Sequence, residues 1–230
     1  MRRTFLLVAL VLTGCPKADS EPAPPADPPF DWGTRVDPDR DCTFEAGPDG
    51  VLSIALPASD KDLSIERKRM NAPRTLRPVS GNFVATVRVR GTFRASALSV
   101  PPDRASFVGA GLVVMGDDES YARLERAASH RDGADATYVN WETRQNGNWD
   151  RKGNSGEAKL VEGAEVWLRL FRRGARLRGA FSQDGGATWE PVPEVVLVLP
   201  EEVKVGVVAV TTGTKDFKPT FDRFTIDPLP

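Results

Sequence analysis

The chain has 230 residues, 40% of them hydrophobic and 27% charged, which is enough to bury one substantial core. Twenty glycines and nineteen prolines favour many turns over long helices. A formal net charge of -1 excludes the overall basic footprint of a typical nucleic-acid-binding protein, so we expect no nucleic-acid partner.

The N-terminus has the pattern of a secretory signal. Arg2 and Arg3 precede an apolar run over residues 5–12, which is too short to span a bilayer. The run closes on Leu-Thr-Gly-Cys at 12–15, which resembles a bacterial lipobox. The resemblance implies a signal peptide over 1–14 and lipidation of Cys15, with effectively permanent membrane anchoring. An ordinary signal peptide with an incidental cysteine is the alternative.

Residues 15–29 are predicted to form the lipidated cysteine and a Pro-rich tether. Proline, alanine, aspartate and glutamate dominate this stretch, and almost nothing in it can be buried. Position 16 is proline and not aspartate, which by analogy with lipoprotein sorting favours the bacterial outer membrane over the inner one. We therefore expect a protein of the cell envelope whose folded domain, residues 30–230, is held off the membrane.

Cys42 is the second of two cysteines, so lipidation of Cys15 would leave no intramolecular disulfide. We expect Cys42 to be buried as a small hydrophobic residue. The alternative is a reactive thiol, for which His130, the sole histidine, is the conceivable base. The polar stretch 129–133 around His130 instead indicates a solvated loop.

From Phe30 onward, apolar and polar residues alternate with a period of two, and turn residues interrupt the pattern. This predicts antiparallel β-structure throughout, with no window of helical periodicity. About ten to thirteen strands in roughly two hundred residues favour a two-sheet sandwich, and we predict a jelly roll. The clearest predicted strands cover 51–56, 83–90, 108–115, 121–127, 137–144, 166–171, 175–181, 195–199, 203–211 and 221–226.

Three local patterns sharpen this prediction. Residues 108–115 are nearly all apolar or glycine, so this strand should be covered on both faces. Asn146-Gly147 is the strongest two-residue hairpin signal in the chain. In the strand 203–211, the side chains at 203, 205, 207 and 209 should point inward.

The stretch 182–189 has the most specific local pattern. It fits Ser-x-Asp-x-Gly-x-Thr-Trp, which resembles the Asp-box of sialidases and other secreted β-proteins. Short polar side chains can bond turn amides here, and glycine supplies positive φ. The resemblance implies a structural device away from any active site. Its residues are Ser182, Asp184, Gly186, Thr188 and Trp189.

The folded part as a whole resembles the concanavalin A-like jelly rolls of the regulation-of-enolase-protein type. The segments that carry this resemblance are 71–74, 78–83, 109–114, 166–171 with the hairpin into 182–189, 205–207 and 221–226. It implies an all-β, concanavalin A-like, two-sheet antiparallel sandwich. Each segment is a packing or turn signal, so the resemblance implies no chemistry.

A candidate ligand groove follows from the hairpin near Arg173-Gly174. A two-residue turn there puts Leu170 beside Leu177, and Arg169 beside Arg178, on opposite faces. Paired arginines repel, so either Glu125 or Glu142 from neighbouring strands offsets them, or they bind a ligand. An aromatic face with charged and amide groups suits a sugar. The candidate ligand-binding residues on the concave sheet are Tyr138, Asn140, Glu142, Trp167, Arg169 and Arg178.

Glu125 and Glu142 are the candidate catalytic residues of an alternative hypothesis. Glycoside hydrolysis requires two carboxylates flanking the scissile bond, and these two lie on adjacent predicted strands. The Glu-x-Asp-x-x-Glu motif of laminarinase-type jelly rolls is absent, and the interleaved arginines favour an ion-pair ladder.

The sequence carries no Gly-rich phosphate loop, serine nucleophile elbow or His-Cys metal cluster, so we predict no cofactor. Asp117, Asp118 and Glu119 could bind Ca²⁺, but they lack the ligand spacing of a dedicated loop. The pattern therefore favours a solvated hairpin tip for these three residues over a Ca²⁺ site.

Together these features predict a lipid-anchored, non-catalytic, lectin-like β-sandwich that binds carbohydrate or another extracellular ligand. The alternatives are a glycan-acting hydrolase using Glu125 and Glu142, and a module that docks an envelope protein through a sheet face. Two carboxylates free of arginine partners would favour the hydrolase, a groove with an exposed aromatic residue the lectin, and a flat apolar patch the docking module.

Overall fold

The computed structural model describes residues 30–153, 160, 161, 163 and 165–230. The predicted signal peptide, Cys15 and the tether lie outside the described residues. Within the described part, the helical segments are two single turns, Pro48–Gly50 and Ile65–Arg67. None of these is long and apolar enough to cross a membrane.

Two antiparallel sheets form a sandwich. Sheet A has the strand order β1 (Thr34–Val36), β6 (Arg74–Ser80), β16 (Glu202–Thr211), β8 (Ser106–Met115), β9 (Tyr121–Arg131), β10 (Ala134–Gln145), β11 (Asn148–Gly153). Sheet B has the order β14 (Glu190–Pro191), β13 (Arg176–Ser182), β12 (Val166–Arg173), β7 (Phe83–Arg90), β17 (Thr220–Pro228), β3 (Leu52–Ala55), β2 (Thr43–Ala46), and β15 (Val195–Val196) also pairs with β13. A small hairpin joins β4 (Leu63–Ser64) and β5 (Arg69–Met70). The predicted all-β, concanavalin A-like jelly-roll sandwich is confirmed.

The main core lies between the two sheets and follows the predicted alternation. Val203, Val205, Val207 and Ala209 of β16 all belong to it, as expected. Leu170 and Leu177 also point inward and are fully buried. Because inward positions recur every second residue along a strand, the outward side chains of both sheets remain available for polar contacts.

A second apolar cluster covers one half of the outer face of sheet A. Leu63 and Tyr121 pack there against Val113 and Met115 of β8, while Leu112 and Val114 of the same strand face the main core. The prediction that 108–115 is covered on both faces is therefore confirmed. The covering residues come from the segment around β4 and β5, and the other half of this face forms a groove.

The turn between β12 and β13 lies one residue later in the chain than predicted, so each residue of β12 pairs two residues further along β13. The turn is Gly174-Ala175, so Arg172 pairs with Leu177 and Phe171 pairs with Arg178. Arg169 and Arg178 both face outward as expected, but the expectation that they are directly opposite each other is wrong. Arg169 instead lies opposite Ala180.

The Asn146-Gly147 hairpin is confirmed. Both residues have positive φ, +51° and +75°, which is the conformation that a tight hairpin turn requires. The turn pairs Gln145 with Asn148 and Arg144 with Trp149.

The described chain contains more strands than the sequence predicted, because several are only two to four residues long. The predicted strand at 195–199 is reduced to Val195–Val196. Short segments of this kind have too few residues to display a period of two.

Candidate functional site

A groove of about 910 Å³ runs along the uncovered half of the outer face of sheet A. Strands β9 and β10 form its floor. Asp62, Glu66 and Arg67 from the β4–β5 region line it at one side, with Asp103 and Arg104 from the loop before β8. The covering segment thus supplies part of the wall of the groove.

The floor carries charged and amide side chains because alternate residues of β9 and β10 face outward. Arg123 and Glu125 lie on β9, where Arg123 is paired across the sheet with Glu142 and Glu125 with Asn140. The predicted placement of Tyr138, Asn140 and Glu142 on one face is therefore correct, and all three side chains line the groove.

A chain of ion pairs crosses this floor. Asp62 Oδ1 lies 2.9 Å from Arg123 Nη1, and Glu142 contacts Nη2 of the same arginine. Glu142 Oε1 also lies 3.0 Å from Arg144 Nη1, whose Nη2 is 2.9 Å from Glu66 Oε1. The predicted ion-pair ladder is thus present, and it includes Asp62 and Glu66, which the sequence did not indicate.

Every member of the ladder is buried except Glu66, which is exposed. Burial alone would raise the pKa of Asp62, which is 1% exposed, but the guanidinium groups of Arg123 and Arg104 outweigh burial and hold this pKa below its ordinary value. Burial likewise opposes ionisation of Glu66, and hydrogen bonds from Arg144 lower its pKa. The arginine partners therefore favour the charged forms of Asp62 and Glu66.

Glu125 and Glu142 lie on the same face, as predicted, but neither is free of an arginine neighbour. Glu142 contacts Arg123 and Arg144. Glu125 accepts a hydrogen bond from Asn140 Nδ2 at 2.8 Å and lies 3.7 Å from Arg123. A carboxylate held by two guanidinium groups is poorly suited to donate a proton as a general acid.

Trp149 is the large exposed aromatic residue of the groove. It is 51% exposed, its Nε1 donates a hydrogen bond to Glu142 Oε2 at 3.0 Å, and Arg144 lies 5.8 Å from its ring centroid. These contacts fix the ring at the groove margin. Sequence analysis missed Trp149, although the Asn146-Gly147 turn already implied its position opposite Arg144.

Trp167, Arg169 and Arg178 do not belong to this groove. They lie on β12 and β13 of sheet B and face outward, on the side of the sandwich opposite to Tyr138, Asn140 and Glu142. The expectation of one shared groove is wrong, because β9 and β10 belong to sheet A. Trp167 and Arg169 line a separate depression of about 380 Å³.

The turn after β13 has its own hydrogen-bond network. Asp184 accepts bonds from Ser182 Oγ at 2.7 Å and from the backbone and hydroxyl of Thr188. Bonds from Thr188 and Ser182 lower the pKa of Asp184. Gly186 donates its N–H to Ser182 Oγ and accepts Trp189 Nε1 at 2.9 Å. All five residues of the motif are thus bound to one another.

The acidic residues 117–119, which are possible Ca²⁺ ligands by residue type, lie in the turn between β8 and β9. There Asp117 Oδ1 accepts the backbone N–H groups of Glu119 and Ser120 at 2.8 and 2.7 Å, so it bonds the turn itself. Elsewhere, ligand atoms of Asp37, Asp41 and Cys42 lie within 4.8 Å of one another. Lys61 is 2.7 Å from Asp41 and already neutralises charge there.

Cys42 is half-buried and packs against the main core. Burial, aided by Asp37 and Asp41, raises the pKa of its thiol to about 12. The thiol therefore stays protonated at neutral pH, which argues against a reactive nucleophile. His130 lies at the end of β9, not in a loop, and contacts Asp135 at 2.6 Å.

Comparisons with known proteins extend these observations. A family model described as "Protein of unknown function (DUF1349)" matches residues 61–229. No curated protein matches the sequence significantly. A functionally unknown protein from Saccharomyces cerevisiae has 21% identity and a TM-score of 0.63, over 86% of this chain and 98% of that one.

Two further solved structures share the fold. Xylan β-1,4-xylosidase from Bacillus halodurans C-125 has 19% identity and a TM-score of 0.58 over 81% of this chain, which spans only 34% of the xylosidase. An alginate lyase from Klebsiella pneumoniae has 11% identity and a TM-score of 0.53, over 81% of this chain and 84% of that one. At these identities the likeness shows the fold alone.

Replacing Arg123 by methionine should destabilise the protein strongly. The change leaves Asp62 and Glu142 buried without a shared counter-charge, so we expect a loss of about 3–5 kcal/mol in the free energy of unfolding. Urea denaturation measures this loss. Arg67→Met is the matched control, since the Arg67–Asp103 pair is solvent-exposed and should contribute little. Similar unfolding curves for the two variants would contradict the assigned role of the ladder.

Asp62 should make folding stability dependent on acid pH. Its pKa is lowered on folding, so its contribution is complete above the ordinary value of 3.8 and is lost as pH falls towards the folded value. In urea titrations from pH 7 to pH 3, the wild-type protein should lose more stability below about pH 4 than Asp62→Asn does. Asp132→Asn, on an exposed turn, controls for the removal of one carboxylate. Parallel pH profiles for wild type and Asp62→Asn would argue against this linkage.

Proposed function

The chain belongs to the DUF1349 family, and we propose that it binds an uncharged carbohydrate chain in the groove of sheet A without cleaving it. The observation that carries this proposal is the exposed ring of Trp149, held at the groove margin by Glu142. A fixed aromatic face takes the apolar C–H side of a sugar ring, and neighbouring polar groups bond its hydroxyls.

Charge balance in the groove supports an uncharged ligand. Its lining contains five arginines and six carboxylates, and most of the arginines have a carboxylate partner within the groove. Because opposite charges neutralise one another locally, there is no cationic excess to hold an anionic chain. The charged lining residues are Asp62, Glu66, Arg67, Asp103, Arg104, Arg123, Glu125, Arg131, Asp132, Glu142 and Arg144.

The arrangement of the two glutamates supports binding over hydrolysis. Glu142 orients Trp149 and compensates Arg123 and Arg144, so its structural contacts already occupy its carboxylate. The names of the xylosidase and the alginate lyase refer to polysaccharides, but their low identity carries the fold and not the activity. The proposal therefore rests on the groove itself.

We also propose that the protein is attached to the bacterial envelope through a lipid on Cys15, with the outer membrane favoured by Pro16. The lipobox-like sequence and the Pro-rich stretch over 16–29 support this location. Tethered in this way, the groove would meet extracellular or periplasmic glycans.

Trp149→Ala should strongly reduce retardation by neutral polysaccharides. In affinity electrophoresis with soluble arabinoxylan, β-glucan and dextran, we expect retardation of the wild type by at least one of them. Loss of the aromatic face should weaken that interaction about tenfold or more. Val196→Ala, which changes an exposed apolar residue on sheet B, should migrate as wild type. The proposal would be contradicted if no neutral polysaccharide retarded the wild type, or if Trp149→Ala were retarded equally. Release of reducing ends from these polysaccharides would instead support the hydrolase.

Cys15→Ser should abolish lipid attachment. When the full chain is expressed in a bacterium fed with labelled palmitate, we expect label on the wild type and none on Cys15→Ser. Cys42→Ser is the matched control and should remain labelled. An unlabelled wild-type protein would favour the ordinary signal peptide.

A further inference from the structure

The depression on the outer face of sheet B forms a second surface, separate from the groove. Trp167, Arg169 and Phe171 of β12 line it, with Thr86 of β7 and Arg223 of β17. We propose that this depression binds the carboxylate group of an acidic sugar, with Arg169 as its main anion ligand. This inference does not depend on the function proposed for the groove.

The pairing of strands in sheet B brings these residues together. Arg169 lies opposite Thr86, which lies opposite Thr225 on the next strand, so the three form one row. Phe171 lies between Val84 and Arg178 in the adjacent row. A charged row therefore lies beside a partly apolar one on the same outward face.

Arg169 is held in position before any ligand arrives. Its Cζ lies 3.8 Å from the centroid of the Trp189 ring, and its Nε donates a hydrogen bond to Thr86 Oγ1 at 3.3 Å. Stacking and this bond fix the guanidinium plane and leave both terminal nitrogens to bind an anion. A preoriented guanidinium fork is well suited to bidentate recognition of a carboxylate.

The turn over 182–189 holds the Trp189 ring on which Arg169 stacks. Trp189 Nε1 donates to Gly186 O, and Gly186 N–H donates to Ser182 Oγ. The hydrogen-bonded motif therefore fixes the ring on which Arg169 stacks. We infer that the motif has a positioning role for this site in addition to closing the turn.

Arg223 adds a second positive charge. It is exposed, and its backbone has φ +53° within a β-bulge between Asp222 and Thr225. Bulges redirect a side chain from its regular position, and here the residue lines the depression. The left-handed conformation is unfavourable for a non-glycine residue, so the backbone is strained at this position.

The neighbouring carboxylates do not neutralise these two arginines. Asp222 lies 2.6 Å from both Arg88 and Arg90, so its charge is already compensated. Among the residues that the structure describes, no carboxylate lies within ion-pair distance of Arg169 or Arg223. Asp227 is the acidic residue of the lining, so the depression keeps a positive excess.

The aromatic residues favour an acidic sugar over a phosphate group alone. Trp167 is half-buried, donates Nε1 to Glu165 at 3.1 Å, and has Arg88 over its ring at 5.6 Å. Together with Phe171 it offers apolar contact beside the arginines. A uronate has both an apolar ring face and a carboxylate, whereas inorganic phosphate has no apolar face.

Affinity electrophoresis with polygalacturonate tests this site. The wild type should be retarded, with retardation weakened by added salt, and Arg169→Ala should reduce apparent affinity about tenfold or more. Arg176→Ala is the matched control, because Arg176 is exposed on β13, pairs with Glu194 and does not line the depression. Arg169→Lys should recover little binding, since lysine keeps the charge but loses the fork.

Trp189→Leu separates positioning from simple charge attraction. It should weaken polygalacturonate binding. It should also remove the preference for a carboxylate over a sulfate group, so that the variant binds polygalacturonate and dextran sulfate equally. Trp149→Ala should bind polygalacturonate as wild type does, which keeps this test distinct from that of the groove. The proposal is overturned if Arg169→Ala binds like Arg176→Ala, if the wild type is not retarded, or if anionic phospholipid vesicles compete as well as free galacturonate does.

Discussion

Asp62 joins the covering segment of sheet A to the charged floor of the groove. Its carboxylate binds Arg123 from β9 and Arg104 from the loop before β8, while the next residue, Leu63, begins the apolar cover. The outer face of sheet A would otherwise expose Val113 and Met115 to water. One buried carboxylate thus fixes where the apolar cover ends and where the polar groove begins.

Compensation of buried charge also explains why the groove is suited to binding. Several ionised side chains lie under a surface that is only partly open, and each charge has an opposite partner. Such a network keeps the floor rigid because movement of one member would leave another charge unpaired. Trp149 takes its orientation from the same network through Glu142. A rigid floor with a fixed aromatic margin limits the entropy lost when a sugar binds.

The two outer faces of the sandwich differ in how their arginines are used. In the groove of sheet A, Arg123 and Arg144 of the floor are ion-paired with carboxylates. On sheet B, Arg169 is fixed by an aromatic ring and a hydroxyl, and no described carboxylate neutralises it. This contrast is the physical basis for proposing ligands of different charge. In this interpretation the 182–189 turn also positions Arg169, because Arg169 stacks on Trp189.

The sequence by itself determined the fold class, the alternation of β9, β10, β12 and β16, the Asn146-Gly147 hairpin and the placement of Glu125 and Glu142 on one face. These features depend on a period of two and on turn residues, which are local. Only the tertiary structure decided which sheet each strand joins, and hence that Arg169 and Glu142 lie on opposite sides. It also decided that Asp62 reaches Arg123, because 61 residues separate the two and no local pattern encodes that contact.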